Sequence, residues 1–176
     1  MSLPTREEAE ELLEEHVLDA YQRHHSRMVA KAMEAYAVKL QENVDLWFVT
    51  GLLHDLDYYK FPNKHPSKSL EWFRKWGYPE ELVLAVESHA FRRTGIKPTT
   101  MLGKALIACD EMSGLLYAYS LMRPTGFEGM EVKSVKKKFK DKGFAAKIDR
   151  NDIAYGIEEL GVSFEEHVAL LISIFK

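Results

Sequence analysis

Residues 47–59, WFVTGLLHDLDYY, carry an apolar run that ends in the pair His54-Asp55. The run continues a helical pattern of apolar residues rather than an alternating one, so we expect a buried helix that reaches this pair. A carboxylate on a buried face is costly unless it is paired with a cation or bound to a metal. The pair therefore offers a metal ion adjacent nitrogen and oxygen ligands.

Helical periodicity continues through nearly all of the chain and predicts an all-α protein. Capping-box patterns at Thr5 to Glu8 and at Ser163 to Glu166 mark two helix starts, and Gly77 marks a helix end. The expected helices span about residues 5–20, a segment around 25–36, 43–55, 67–76, 79–89, 99–122, 131–142, 151–160 and 164–175.

The composition indicates one ordinary globular domain. The chain has 176 residues, of which 46% are hydrophobic and 29% charged, and this length can bury a real core. A net charge of −3 argues against a nucleic-acid polymer as partner. No apolar stretch reaches the roughly 18 residues of a membrane span, and the N-terminus is acidic, unlike a signal peptide. We therefore expect a cytoplasmic protein with no membrane partner, in which the single cysteine, Cys109, only packs.

Other side chains with ligand chemistry also fall in or beside apolar helical segments: His25, His65, His89 and Asp110. A single histidine on an apolar stripe is more often a hydrogen-bonded core residue than a ligand. Asp55 and Asp110, however, lie in hydrophobic runs that contain no interleaved lysine or arginine to pair with them. A metal ion would compensate the charge of these buried carboxylates. Together with the His54-Asp55 pair these side chains make six possible ligands, which suggest one or two ions.

The order of these residues resembles the HD-domain metal-dependent phosphohydrolase superfamily. The matching stretches are HHSRMVAKA (24–32), GLLHDLDYY (51–59) and ALIACDEMSGLL (105–116). The resemblance aligns Val29-Ala30 with a Val-Ala pair of the family pattern, and this implies that His25, rather than His24, is the first ligand. The resemblance implies a small bacterial stand-alone HD protein, a single-domain helical bundle with a metal-binding core at about 20–123 and a helical extension at about 124–176.

The segment KHPSKSLEWFRKWGYPEELVLAVESHA (64–90) resembles the part that supplies two more histidines in dinuclear members of the superfamily. The resemblance then implies that His65 and His89 bind a second metal and that Asp55 bridges both ions. The cofactor would be one or two divalent ions of Fe, Mn, Zn, Co, Ni or Mg. The reaction would be hydrolysis of a phosphoester in a small metabolite or nucleotide, because a metal polarises a phosphoryl oxygen and lowers the pKa of bound water toward about 7.

Catalytic roles are expected at Asp55 and at Asp57, the latter for proton transfer or for support of a ligand. The side chains expected to contact substrate are Tyr58, Arg92, Arg93 and Arg123. Ordinary surface positions remain the alternative for the arginines. Trp47, Trp72 and Trp76 lie on apolar helical faces and are expected in the core.

Two other functions fit the same residues. An HD-type diiron oxygenase would use the same ligand set but would require iron and consume dioxygen. A non-catalytic, metal-stabilised domain would bind a nucleotide without turnover. The intact ligand set argues against this function, because binding alone does not require an open metal position. The apolar C-terminal segment leaves both a monomer and a homodimer open.

Overall fold

A computed structural model describes residues 2–176, and within them all regular structure is helical. The helices are α1 (Arg6–His16), α2 (Ala20–Leu40), α3 (Val44–Leu53), α4 (Ser67–Trp76), α5 (Glu80–His89), α6 (Phe91–Thr94), α7 (Met101–Leu121), α8 (Val132–Lys140), α9 (Arg150–Leu160) and α10 (Phe164–Phe175). The prediction of an all-α protein is confirmed. The one-turn helix α6 was not predicted, because four residues are too short to show a periodicity.

Local side-chain signals set most helix ends. Both predicted capping boxes form, at the starts of α1 and α10. Asn43 caps α3 by accepting a hydrogen bond from Leu46 N at 3.0 Å. Gly77 ends α4 at φ 71°, a left-handed conformation that glycine adopts without strain. The prediction that α1 reaches about residue 20 is wrong, since Asp19 caps the start of α2.

The helices group into two compact units that divide inside α7, one ending at Leu106 and the other comprising Ile107–Lys176. In the first unit α2 packs along α3, and the fully buried side chains include Val29, Met33, Trp47, Leu52 and Leu53. In the second unit they include Leu115, Val135, Ile153, Val168 and Leu171. The boundary near residue 123 between metal-binding core and extension remains a prediction.

Several side chains can be compared directly with their predicted burial. Cys109 is fully buried, and burial raises the pKa of its thiol, as expected of a packing residue. Trp47 is buried as predicted, but Trp76 is 36% exposed, so its assignment to the core is wrong. Trp76 is the last residue of α4, where it stacks on Trp72 at 6.2 Å between ring centroids. Among residues 2–176, no helix combines the length and the apolar character of a membrane span.

Gly51 allows α3 to approach α2 closely at the level of the His54-Asp55 pair. A Cβ atom added at Gly51 would lie 2.9 Å from Ala30 Cα and 2.9 Å from Met33 Cγ. The Ala30 atom belongs to the backbone of α2 and cannot move without shifting that helix. The spacing of the two helices therefore depends on the absence of a side chain at residue 51.

We expect Gly51→Ala to lower the free energy of unfolding by about 1–3 kcal/mol, because the added methyl overpacks the α2–α3 contact. Urea denaturation monitored by circular dichroism measures the change. The control is Gly114→Ala in α7, where the added Cβ would lie 3.4 Å from Ile148 Cδ1, an ordinary contact. That variant should be neutral or more stable by up to about 1 kcal/mol, since alanine favours the helix. Equal stability of the two variants would contradict the close packing at Gly51.

Candidate metal centre

Five predicted ligands lie in the first unit and come from four separate parts of the chain. His25 lies on α2, His54 and Asp55 directly follow α3, His65 precedes α4, and His89 is the last residue of α5. The ends of these elements bring side chains together that are up to 64 positions apart in the chain, from residue 25 to residue 89.

The first cluster consists of His25, His54 and Asp55, whose ligand atoms lie within 4.8 Å of one another. The rings of His25 and His54 are 5.6 Å apart, and His54 Nε2 lies 3.4 Å from Asp55 Oδ2. His24, the neighbouring candidate, is exposed. The structure therefore places His25, the residue chosen from the sequence, beside the His54-Asp55 pair.

The second cluster consists of Asp55, His65 and His89. Asp55 Oδ1 lies 3.3 Å from His65 Nε2 and 3.5 Å from His89 Nε2. The two Nε2 atoms are 3.2 Å apart. Asp55 thus belongs to both clusters and presents a different carboxylate oxygen to each.

Hydrogen bonds at Nδ1 determine which nitrogen of each ring carries the proton. His54 Nδ1 donates to the Gly51 carbonyl at 2.7 Å, and His89 Nδ1 donates to the Val86 carbonyl at 2.5 Å. His65 Nδ1 donates to Asp57 Oδ1 at 2.7 Å. In a neutral imidazole the other nitrogen then has a lone pair and no proton. All three Nε2 lone pairs are directed toward the carboxylate of Asp55.

Such an arrangement of lone pairs and a carboxylate is repulsive unless a cation lies among them. Atoms bound to one ion at about 2.0–2.2 Å lie roughly 3 to 3.6 Å apart in tetrahedral geometry. The separations in the second cluster, 3.2, 3.3 and 3.5 Å, fall in this range. Imidazole nitrogen with carboxylate oxygen is also a donor set that suits divalent transition metals. The residues present therefore fit a metal ion.

Comparison with known protein families agrees with this geometry. A family model for the HD domain matches residues 23–120, more than half of the chain. The chain belongs to the HD-domain family. No solved structure was found to match it. Membership agrees with the predicted resemblance, with the all-helical fold and with a His/Asp site for divalent metal.

Asp57 contacts this HD domain's site through a hydrogen bond to His65, one of the predicted ligands. Its side chain is fully buried and accepts three hydrogen bonds, from His65 Nδ1 at 2.7 Å and from Lys68 N and Ser69 N at 3.0 Å each. The two backbone donors belong to the first turn of α4. One carboxylate therefore orients His65 and caps α4, and the two interactions position the ring relative to the helix.

Burial and hydrogen bonding have opposite effects on the pKa values of Asp55 and Asp57. Burial raises the pKa of Asp57, but the hydrogen bonds from His65 and Ser69 outweigh it and lower the pKa below the usual value. Burial likewise raises the pKa of Asp55, but protons on the Nε2 atoms of His54, His89 and His65, whose place a bound cation would take, lower it well below the usual value. Both carboxylates are thus ionised near neutral pH, as a metal ligand and its support require.

The side chains that were expected to contact substrate differ from one another in exposure and in their hydrogen bonds. Tyr58 is 37% exposed, and its ring lies 5.3 Å from that of His65. Arg92 and Arg93 are exposed, and Arg93 donates to the Pro62 carbonyl at 2.7 Å. In the second unit, Arg123 donates to the carbonyls of Gly126 and Glu128, each at 2.8 Å, which orders its own turn. Substrate contact by these residues remains a prediction.

Sequence reasoning missed the acceptors that orient the rings. The carbonyls of Gly51 and Val86 each lie three residues before the histidine that they bind. Every residue has a carbonyl, so no residue type marks these positions. The spacing of three along a helix end is the only signal that was present.

We expect His25→Ala to reduce the metal content of the purified HD protein, because the ring lies within 4.8 Å of the ligand atoms of His54 and Asp55. The matched control is His24→Ala, which removes the same side chain from an exposed position one residue earlier. Elemental analysis of protein purified without added metal measures the ratio of metal to protein. Equal metal content in both variants would contradict the assignment of His25.

We expect Asp57→Asn to weaken metal binding by about 10–100-fold, because an amide offers one acceptor oxygen where three donors now meet a carboxylate. Competition with a chromophoric chelator measures the affinity, and nitrogen NMR of His65 reports whether Nδ1 keeps its proton. Asp45→Asn is the control, since the Asp45 side chain is 68% exposed and pairs with Arg6 at the surface. An unchanged affinity with an unchanged His65 tautomer would show that Asp57 does not position the ring.

Proposed function

We propose that this HD-domain protein is a metal-dependent phosphoric ester hydrolase that acts on a small phosphorylated metabolite or nucleotide. The observation that carries the proposal is the position of Asp55. Its two oxygens face two clusters of imidazole nitrogens, and its side chain keeps 26% exposure at the surface of the site. A ligand that is partly open to solvent is what a catalytic metal site needs, whereas a purely structural site is closed.

The proposed ligands are His25, His54, Asp55, His65, His89 and Asp110. Asp110 is included because an aspartate follows the His-Asp pair at this place in the family pattern, inside the matched residues 23–120. It lies on α7 about one turn beyond Leu106, the last residue of the first unit, and the helix is continuous across this point. The same set would hold one or two divalent ions.

When bound, such an ion supplies a Lewis acid that polarises a phosphoryl oxygen and activates water. The protein supplies the arrangement around it. The Nδ1 bonds of His54, His65 and His89 keep each ring in one tautomer with Nε2 toward the site. Because these acceptors are backbone or buried groups, little reorganisation is required when charge develops on the substrate.

Asp57 is proposed as a positioning residue rather than a proton donor to substrate. Its carboxylate is fully buried, and all of its contacts described above are to protein donors. Tyr58 is the better candidate for substrate contact, since its ring combines exposure with contact to His65. A small substrate is favoured over a nucleic-acid polymer by the net charge of −3.

We expect the protein loaded with Mn, Co, Fe, Zn, Ni or Mg to hydrolyse at least one compound in a panel of nucleotides, sugar phosphates and other phosphomonoesters. Released phosphate measures turnover. Asp55→Asn should lower kcat/KM by at least about 100-fold, because it removes a charged oxygen that both clusters face. Asp45→Asn, which changes an exposed carboxylate near the start of α3, should leave turnover unchanged.

Two results would overturn the proposal. Iron-dependent consumption of dioxygen by the loaded protein, without phosphate release, would identify an oxygenase. Tight binding of one panel member without turnover under any metal would identify a binding domain. Oxygen electrode measurements and calorimetry on the same metal-loaded samples separate these outcomes from hydrolysis.

A further inference from the structure

A cavity of about 620 Å³ opens in the second unit, where α8 ends and α9 begins. We name it the α8–α9 cavity; the lining residues used below are Phe139, Lys140, Lys142, Lys147, Ile148 and Arg150. Its volume lies within the range of about 300–1,000 Å³ that is typical of small-molecule sites. None of its lining residues is a proposed metal ligand, so it is separate from the proposed function.

Arg150 organises the backbone around the α8–α9 cavity. Its guanidinium donates to five backbone carbonyls of the preceding segment: Phe139 at 3.4 Å, Asp141 at 3.2 Å, Ala145 at 2.6 Å, Ile148 at 2.9 Å, and Phe144. One side chain thus holds together a connection that has no regular secondary structure. The segment that lines the cavity is therefore held in place by hydrogen bonds to Arg150.

The charge on the lining is predominantly positive. Lys140, Lys142 and Lys147 line the cavity, and none of the three makes an ion pair with a carboxylate within residues 2–176. The one acidic side chain in the lining is Asp149, whose Oδ1 accepts hydrogen bonds from Asn151 N at 2.8 Å and Asp152 N at 3.4 Å. That carboxylate is engaged in capping α9. Like charges grouped without partners lower the cost of binding an anion.

The remaining lining is apolar. Phe139 and Ile148 contribute hydrocarbon surface, and the Phe139 ring is held by Phe164 at 5.0 Å between ring centroids. An inorganic anion would contact the lysines alone and leave this surface exposed to water. A ligand with a charged group and an apolar or aromatic group would use both.

We propose that the α8–α9 cavity binds a small organic phosphate, such as a nucleoside diphosphate. The phosphates contact Lys140, Lys142 and Lys147, and the organic group lies against Phe139 and Ile148. Ammonium groups bind phosphate oxygens through charge-assisted hydrogen bonds, which are stronger than those between neutral groups. The site is proposed for binding only, because its one acidic side chain, Asp149, is engaged in capping α9.

The test is titration of the full-length protein with α,β-methylene-ADP, an analogue whose bridging bond resists hydrolysis. Calorimetry measures the affinity, and backbone amide NMR locates the contact. We expect saturable binding below about 1 mM, with shifts at residues 139–151. Adenosine, which lacks the charge, should bind at least about tenfold more weakly. Binding should also weaken as NaCl rises from about 0.05 to 0.5 M, because salt screens the lysines.

The variant is Lys142→Ala/Lys147→Ala, which should weaken binding by at least about tenfold. Its control is Lys133→Ala/Lys137→Ala on exposed positions of α8, which changes the net charge equally but leaves the lining intact. Equal affinity of the two double variants would overturn the proposal, as would no binding or shifts confined to residues around His65. Calorimetry measures the affinity for the analogue and NMR locates its contact, and neither depends on turnover. Absence of hydrolytic activity at the metal centre therefore does not affect the result.

Discussion

The site depends on one electrostatic constraint, the concentration of imidazole lone pairs around the carboxylate of Asp55. Each of His54, His65 and His89 has its Nδ1 proton committed to an acceptor, so Nε2 can only accept. The Nε2 atoms of His65 and His89 lie 3.2 Å apart, and with both rings neutral and protonated on Nδ1 neither has a proton to donate to the other. This arrangement is unfavourable by itself and becomes favourable around a cation, which is why the geometry implies a metal ion.

Backbone packing maintains that constraint. His54 and His89 are oriented by carbonyls one helical turn earlier, so their ring positions follow from the ends of α3 and α5. His65 precedes its helix and has no such carbonyl; the buried carboxylate of Asp57 serves instead and also caps α4. The close contact at Gly51 sets the distance between α2 and α3, and hence between His25 and the His54-Asp55 pair. Residues outside the ligand set therefore determine its geometry.

The second unit shows a different use of buried hydrogen bonds. There a single guanidinium, that of Arg150, satisfies the carbonyls of an irregular segment that has no helix to satisfy them. Around this segment lie three lysines that make no ion pair with a carboxylate in the described part of the chain, residues 2–176, and they lie beside apolar surface. The cavity became visible only with the course of the backbone after α8.

The sequence alone predicted every helix except the one-turn α6, since period, caps and helix-ending glycines are local properties. The bounds of α4 and its end at Gly77 were predicted to the residue, whereas the end of α1 was not. The sequence also determined which residues carry ligand chemistry, because acids and histidines in apolar runs are costly without a partner. Tertiary structure decided which of those atoms meet, which ring nitrogen faces the site, and that the buried carboxylate of Asp57 accepts a hydrogen bond from His65. It also exposed Trp76 at a helix end. These properties depend on contacts between residues distant in the chain, and periodicity within a single helix carries no information about them.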